Sequence, residues 1–577
     1  MDGVHLPKDF PVLVDVGAPP SARYAADELS QYFARMDKRP HPVLINPSAV
    51  GVHLRSSKEC MLDSAFRLRV DDSGVNIEAN SPGGVVYGAY AVLEGLGCRF
   101  LAPDCETVPE GEIIFPRTDA YEKPAFDARE LFWREAMDGT FAVKLRLNSS
   151  RSLITPEQGG KTMFFNFSHS FNRLVPPEKW FDSHPEYFSM VDGIRLRERT
   201  QLCLTNPDVL HICVDRVRGW IVEHPEYDVF SVAMNDWYNN CRCPDCLALD
   251  EAEGSGAGTM IHFVNRVADN IAKDFPHVKI HTFAYLYCRK PPRHVRPRDN
   301  VIVRLCSIEC CFLHPIGECG REIGPVDVQS GRSEHFYSQN GGGSAFLEDL
   351  RGWAAICKNL YIWDYTTNYA NYLQPFPNLR VLASNLRLFR DHGVKGVFEQ
   401  GNFSLGRASA LGPLKIYMLG KLLWDPDLDA IELADDFVQG YFGPAFPQMR
   451  EYTALWFSMD GPGHVGLYDP PDAPYLTDAV LEHARTLLNE ALQAAPCEPF
   501  AGRVARESLS IEYVELARDS PGLPGRSERI DTFEHCLSQY GITELFERRS
   551  LKESVDALRS SRLAADRQGV PHISYPI

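Results

Sequence analysis

The sequence predicts an α/β protein built on a (β/α)8 barrel, preceded by a small α/β domain and followed by an α-helical region. Three observations carry this. Between about residues 125 and 425, eight short apolar runs alternate with segments of helical periodicity. Ahead of them, residues 1–120 combine strand-like alternation with two amphipathic helices. After Trp424-Asp425-Pro426 the pattern is helical to about residue 565. A chain of 577 residues accommodates three such units, 1–120, 121–425 and 426–577.

In the first unit, Pro11 to Val16 reads as a strand that passes through Gly17 and Pro19-Pro20 into a helix from Ala22 to Met36. Tyr24/Ala25, Leu29 and Tyr32/Phe33 lie on one face of that helix. Phe66–Val70 and Gly74–Ala79 alternate like paired strands around the turn Asp71-Asp72-Ser73-Gly74. Gly83-Gly84 opens a second helix, Val85 to Leu96.

The barrel strands are read as Ala128–Arg134, Lys144–Asn148, Thr162–Ser168, Val229–Asn235, Lys279–Tyr285, Val301–Ile308, Leu360–Asp364 and Val394–Glu399. Most are continuous apolar runs, as expected of strands buried on both faces. Asn206-Pro207-Asp208 is a helix start, with Leu210, Cys213, Val217 and Ile221 aligned behind it. Ser255-Gly256 precedes a helix with Ile261, Val264, Ala268 and Ile271 on one side. Only the Pro-rich stretch Lys290 to Pro297 joins the fifth and sixth strands, so a helix is expected to be missing there. No Gly-x-Gly-x-x-Gly follows a strand, which argues against a dinucleotide fold.

Composition narrows the partners. With 44% hydrophobic and 24% charged residues the chain resembles an ordinary globular protein, which excludes disorder, collagen and coiled coil. A net charge of −18, without a Lys/Arg run, argues against nucleic acid and against an anionic membrane surface. No apolar run reaches the ~18–20 residues of a membrane span. Met1-Asp2-Gly3-Val4-His5 shows no signal-peptide pattern, so the chain reads as cytoplasmic or as a mature periplasmic or secreted form. The 32 Phe, 23 Tyr and 8 Trp leave a neutral, stackable ligand open. Oligomeric state is left open.

In a barrel the functional groups gather where strands end. These ends carry Trp133-Arg134, His169, Asn235-Asp236-Trp237, Tyr285, Glu309, Trp363-Asp364-Tyr365 and Glu399-Gln400. Carboxylates converging with aromatic faces suit a sugar: rings pack on pyranose C–H faces, and carboxyls serve protonation and an oxocarbenium-like transition state. Trp133, Trp237, Trp363 and Tyr365 are candidate platforms. Arg134, His169, Tyr285 and Asp364 are candidate ligand groups, although His169 also suits a structural role. The catalytic candidates are Asn235, Asp236, Glu309 and Glu399. An adjacent polar pair after one strand suits a scheme in which the substrate's own 2-acetamido oxygen attacks the anomeric carbon. Asn235 would orient the acetamide and Asp236 would be acid/base. That pair works only if the strand has ended at Asn235, because neighbours on a strand point to opposite faces.

Cys241-x-Cys243-x-x-Cys246 lies in the loop after Asp236. Three thiolates at this spacing suit a structural zinc with a fourth ligand from Cys306 or Cys203; disulfides or buried thiols are the competing readings. No cofactor is required for the hydrolysis itself. The run Asp250-Glu251-Ala252-Glu253 reads as a solvated loop or helix start.

Several ordered motifs resemble a bacterial domain family of unknown function, number 4838, partly classed as glycoside hydrolase family 163. They are His184-Pro185-Glu186-Tyr187-Phe188, Gln201-Leu202-Cys203-Leu204-Thr205-Asn206, Val232–Asp236 with Cys241–Cys246 and Asp250–Ser255, and Arg304–Cys310. Trp363-Asp364-Tyr365, Gln374–Asn378 and Gly396–Gly401 complete the set, which spans about 120–460. The segment from Gly83-Gly84 to Pro103 resembles the small α/β domain that precedes β-hexosaminidase and α-glucuronidase barrels. The resemblance implies a (β/α)8 glycosidase that acts on β-N-acetylglucosaminyl linkages, endo-acting on N-glycan cores by substrate assistance, with a glycan or glycoprotein as partner. Related barrels place an Asp-Glu, Asp-Asp or Asn-x-Glu set after strand four. Here no Glu follows Asp236, so Glu309 and Glu399 stay open as the acid. The alternatives are a β-hexosaminidase-like or uronidase-like exo-hydrolase, the latter needing Arg134 or Arg304 in the pocket, and a sugar-binding barrel without catalysis.

Overall fold

The computed structural model describes residues 3–45, 49–56, 61–319, 345–460, 463–520 and 522–560. Near the N-terminus a six-stranded mixed sheet runs in the order Thr118–Glu122, Phe66–Asp71, Gly74–Ala79, Val52–Ser56, Val12–Val14, Val43–Leu44. Helices Pro20–Asp37 and Pro82–Gly95 pack together beside it. The second begins as the sequence predicts: Ser81 Oγ accepts from the Gly84 amide. A Cβ on Gly84 would clash with the Ala65 carbonyl, so only glycine lets the helix approach this closely.

The central sheet has seven parallel strands: β1 (Ala128–Phe132), β2 (Phe164–Phe165), β3 (Val229–Ser231), β4 (Lys279–Ala284), β5 (Val301–Cys306), β6 (Leu360–Tyr365) and β7 (Gly396–Gln400). The sheet is curled and barrel-like. Its order is β1-β7-β6-β5-β4-β3-β2, and among the described residues no ladder joins β1 to β2. The expected strand Lys144–Asn148 is not formed. Asp138 caps a helix, Gly139–Lys144, through the Phe141 amide, and Arg146 then takes a left-handed turn at φ 58°, which an extended strand does not tolerate. Asn148 fills the gap instead. Its amide donates to the Arg129 carbonyl (3.3 Å), its Oδ1 accepts from the Arg129 amide (2.8 Å), and its own carbonyl accepts from Thr162 (3.4 Å).

The inner face of the curl is filled, not hollow. Arg304, with no exposed surface, reaches Glu130 at 3.2 Å and lies over the rings of Phe167 and Phe164. Helices Pro207–Glu223 and Ala257–Ile271 cover the outer face with the apolar residues foreseen. No helix forms in the Pro-rich link between β4 and β5; a single 3-10 turn, Leu286–Cys288, stands there. Beyond Trp424 the chain continues as helices Ala430–Phe442, Phe446–Phe457, Asp478–Ala494, Phe500–Arg518, Arg526–Gln539 and Leu551–Arg559. The last part of the expected helical stretch, 561–565, lies outside the described residues. Among those described, no helix is long and apolar enough to cross a membrane.

Candidate active site

At the carboxyl ends of the central strands lies a cleft that encloses about 530 Å³ of space, open solvent included. His169, Asp236, Phe283, Tyr285, Cys306, Ile308, Trp363, Tyr365, Tyr369, Gln400, Tyr468 and Glu547 line it. Strand parity explains part of this set. Trp363 and Tyr365 lie two apart on β6 and turn inward together, as Phe283 and Tyr285 do at the end of β4. Trp363 Nε1 donates to Gln400 Oε1 at 2.7 Å, which fixes the indole against β7.

Asp236 stands in the wall just past the end of β3. The Tyr285 hydroxyl donates to its Oδ1 at 3.1 Å. His169 donates from Nδ1 to the Met234 carbonyl (2.6 Å), which leaves Nε2 facing the same carboxylate oxygen at 3.8 Å. Buried Gln201 holds the backbone on both sides of Asp236: its Oε1 accepts from the Asn235 amide (2.9 Å), and its Nε2 donates to the carbonyls of Asn235 (2.8 Å) and Trp237 (2.7 Å).

Glu547 enters from the other side, out of the segment between helices Arg526–Gln539 and Leu551–Arg559. Its amide donates to the Tyr369 carbonyl (2.9 Å), and the Tyr372 amide donates to the Leu545 carbonyl beside it (2.9 Å). Burial pushes the Glu547 carboxyl up to about 7, with Asp236 and Glu544 adding to the rise and Arg548 opposing it. One cleft therefore holds a carboxyl that burial raises to about 7 and a second, Asp236, that accepts a hydrogen bond from Tyr285. No Arg or Lys lines it among the described residues.

Other candidates are placed elsewhere. Asn235 is turned away from the cleft: its Nδ2 donates to Asn172 Oδ1 and the Thr200 carbonyl (both 2.8 Å), and its Oδ1 accepts from the Asn172 amide. A side chain so engaged is not placed to orient an acetamide. Trp133 is core rather than platform. It is buried, its Nε1 donates to Thr366 Oγ1 (3.1 Å), and any side chain at Gly401 would collide with its indole. Arg134 meets Met137 Sδ at 3.6 Å, Trp237 stands outside the lining, and Arg304 is committed to Glu130 below it. Glu309 is ion-paired to Arg289 (3.1 Å), which also binds Asp349 (2.9 Å).

Asp364 and Glu399 are directly opposed across β6 and β7, one residue out of step with the lining residues Trp363, Tyr365 and Gln400. They therefore point to the outer face. Burial raises both; Asp364 rises to about 6 despite a hydrogen bond from Ser307 Oγ, and Glu399 rises well above the usual range, with Asp364 contributing. A carboxyl raised on folding stabilises fully only below its unfolded value and loses that contribution as pH climbs toward its folded one. Glu399→Gln is accordingly expected to gain stability over the parent from pH 5 to pH 8, by up to about 1.4 kcal/mol per pH unit until the folded value is reached. Parallel melting curves across that range would contradict the placement.

Sequence reasoning missed Glu547, Tyr369 and Tyr468. No motif marks Leu545-Phe546-Glu547-Arg548, and Tyr468 comes from an irregular stretch.

Fold and cleft together define an α/β protein with a curled parallel sheet and an acidic, aromatic ligand site at its carboxyl edge. The structure is similar over 99% of its length to 81% of a family GH115 4-O-methyl-α-glucuronidase with specificity for decorated arabinogalactans, at 11% identity and a TM-score of 0.56. This likeness is one of fold. Weaker likenesses are to a GH138 enzyme targeting pectin rhamnogalacturonan II (8% identity, 96% of this chain and 99% of that one, TM-score 0.46) and to a β-N-acetylhexosaminidase from Bacteroides fragilis (12%, 75% and 88%, TM-score 0.40). These neighbours are glycoside hydrolases. The profile of the family described as "Domain of unknown function (DUF4838)" matches residues 100–454, more than half of the chain, and the chain belongs to that family. No curated protein matches it.

Proposed function

We propose that this protein is a glycoside hydrolase that cleaves β-N-acetylglucosaminyl linkages in a glycan, with Glu547 as proton donor and Asp236 as its partner carboxylate. The observation that supports this is the pair itself: Glu547, whose carboxyl burial raises to about 7, and Asp236, which accepts from Tyr285, face one aromatic cleft. The N-acetylglucosamine specificity, the endo action on N-glycan cores and the place in glycoside hydrolase family 163 rest on the motif resemblance. In this scheme the 2-acetamido oxygen attacks the anomeric carbon while the glycosidic C–O bond breaks, and Glu547 gives its proton to the departing oxygen. Asp236, held by Tyr285, accepts the acetamide N–H as positive charge develops on that group. Water then attacks the anomeric carbon, the bond from that carbon to the acetamido oxygen breaks and restores the acetamide, and the water's proton passes to Glu547, so two inversions retain the configuration. Trp363 and Tyr365 supply ring faces to the sugar. A uronate reading needs a cation in the cleft, and its candidates Arg134 and Arg304 lie elsewhere.

Leaving-group dependence tests the assignment. Glu547→Gln is expected to lower kcat on an N-glycopeptide by ~10²–10⁴-fold and to affect an aryl glycoside far less, because a nitrophenolate departs without a proton. The parent's kcat/KM falls as pH rises past about 7, and the variant loses that limb. Equal losses on both substrates, or a retained alkaline limb, would remove Glu547 from the role.

We also infer that Cys203, Cys241, Cys243 and Cys246 hold a structural zinc ion. All four are buried, and Cys203 Sγ stands 3.7 and 3.9 Å from the sulfurs of Cys243 and Cys246. That is close to the ~3.8 Å edge of a tetrahedral thiolate site and far from a ~2.05 Å disulfide bond. The Met190 amide and the Arg195 guanidinium both donate to Cys241 Sγ, as thiolates bound to a metal require. Of the two candidate fourth ligands, Cys203 joins the cluster, and Cys306 lines the cleft instead.

A further inference from the structure

A second group of soft ligands lies outside the active site and outside the four-cysteine cluster. Cys311, His314 and Cys319 follow β5 on one loop, and His464 comes from the stretch after helix Phe446–Phe457. One ligand atom from each lies within 4.8 Å of all the others. His314 Nδ1 is 3.5 Å from Cys311 Sγ and 3.9 Å from Cys319 Sγ, and His464 Nδ1 is 3.7 Å from Cys319 Sγ. With metal–sulfur and metal–nitrogen bonds of ~2.3 and ~2.05 Å, tetrahedral geometry places S and N about 3.6 Å apart. The two imidazoles are inclined at 72° with centroids 5.3 Å apart, so each directs a ring nitrogen inward without stacking. The Leu313 amide donates to Cys311 Sγ at 3.4 Å, the kind of bond that orients a metal-bound thiolate.

We propose that Cys311, His314, Cys319 and His464 form a second zinc site, with two thiolate and two imidazole ligands, which fastens the loop after β5 to the segment that carries Tyr468. The ligand set is soft and closed, with four protein donors, so the site is structural rather than catalytic. Its location gives it a purpose. Ile308, three residues before Cys311, and Tyr468, four residues after His464, both contribute to the cleft lining. One backbone bond, Phe312 amide to Val465 carbonyl at 3.0 Å, already joins these walls, and the metal would lock them together. Two closed zinc sites would then brace the cleft from two sides, one behind Asp236 and one behind Tyr468.

The test uses metal content and ligand spectroscopy of the full chain, so it does not depend on the catalytic assignment. Native mass spectrometry with elemental analysis is expected to give two zinc ions per chain, falling to one in His464→Ala and returning to two in His464→Cys. Should the alanine variant fail to fold, zinc X-ray absorption on the parent decides: an all-thiolate site and a mixed thiolate–imidazole site together average three sulfur and one nitrogen neighbours per zinc. A shell of four sulfurs, or one zinc per chain unaffected by His464→Ala, would overturn the second site. So would an intact mass short by two hydrogens with no metal there, which would mark a Cys311–Cys319 disulfide.

Discussion

Asp236→Asn is expected to lower kcat by ~10³-fold on glycan substrates while leaving the melting temperature near that of the parent. The size follows from its position: it is the carboxylate that Tyr285 and His169 both face, and no second acid among the lining residues stands in the same wall. The amide keeps the acceptor for Tyr285 but loses the negative charge that the transition state uses. Gln201 fixes the chain at Asn235 and Trp237 through backbone atoms, so the substitution does not displace the loop. Initial rates on an N-glycopeptide, paired with a melting curve, check both halves. Parent-like turnover in the variant would remove Asp236 from the chemistry.

Removing metal from the four-cysteine cluster is expected to have the largest effect on stability. Cys246→Ser should lose one zinc ion per chain and lower the melting temperature by on the order of 10 °C, reflecting several kcal/mol of ligation. A drop in kcat should accompany it. Cys203 is two residues from Gln201, and Cys241 follows Trp237 closely, so an ion held there would tie together the two segments that bracket Asp236. Differential scanning calorimetry with and without a strong chelator measures this in the parent. An unchanged transition, with no zinc recovered, would refute the assignment.

How far the sequence reveals this arrangement depends on whether the signal is local. Strands such as Val301–Cys306 and Leu360–Tyr365 are legible because burial on both faces demands a continuous apolar run. The segment Lys144-Leu145-Arg146-Leu147-Asn148 alternates like a strand, but a capped helix ahead of it and the left-handed Arg146 decide its path. At the site, motif reading treats Trp363-Asp364-Tyr365 as one unit, whereas strand parity splits it. The two rings face the cleft, and Asp364 faces outward beside Glu399. Asp236, His169 and Tyr285 are found from strand ends alone. Glu547 is beyond such reasoning, since only tertiary packing brings it near Asp236, and so is His464, 145 residues from Cys319.

The origin of Glu547 has a consequence for how the molecule comes into being. A chain emerging from the ribosome finishes its curled sheet with Gly396–Gln400, yet lacks Glu547, the proton donor proposed above, until the helices that follow have been made and the segment after Arg526–Gln539 has docked. Until then the strand-borne wall of the cleft stands without Tyr468 and Glu547. Under that assignment competence arrives late, and a fragment ending with the family-matched region at residue 454 would lack its donor.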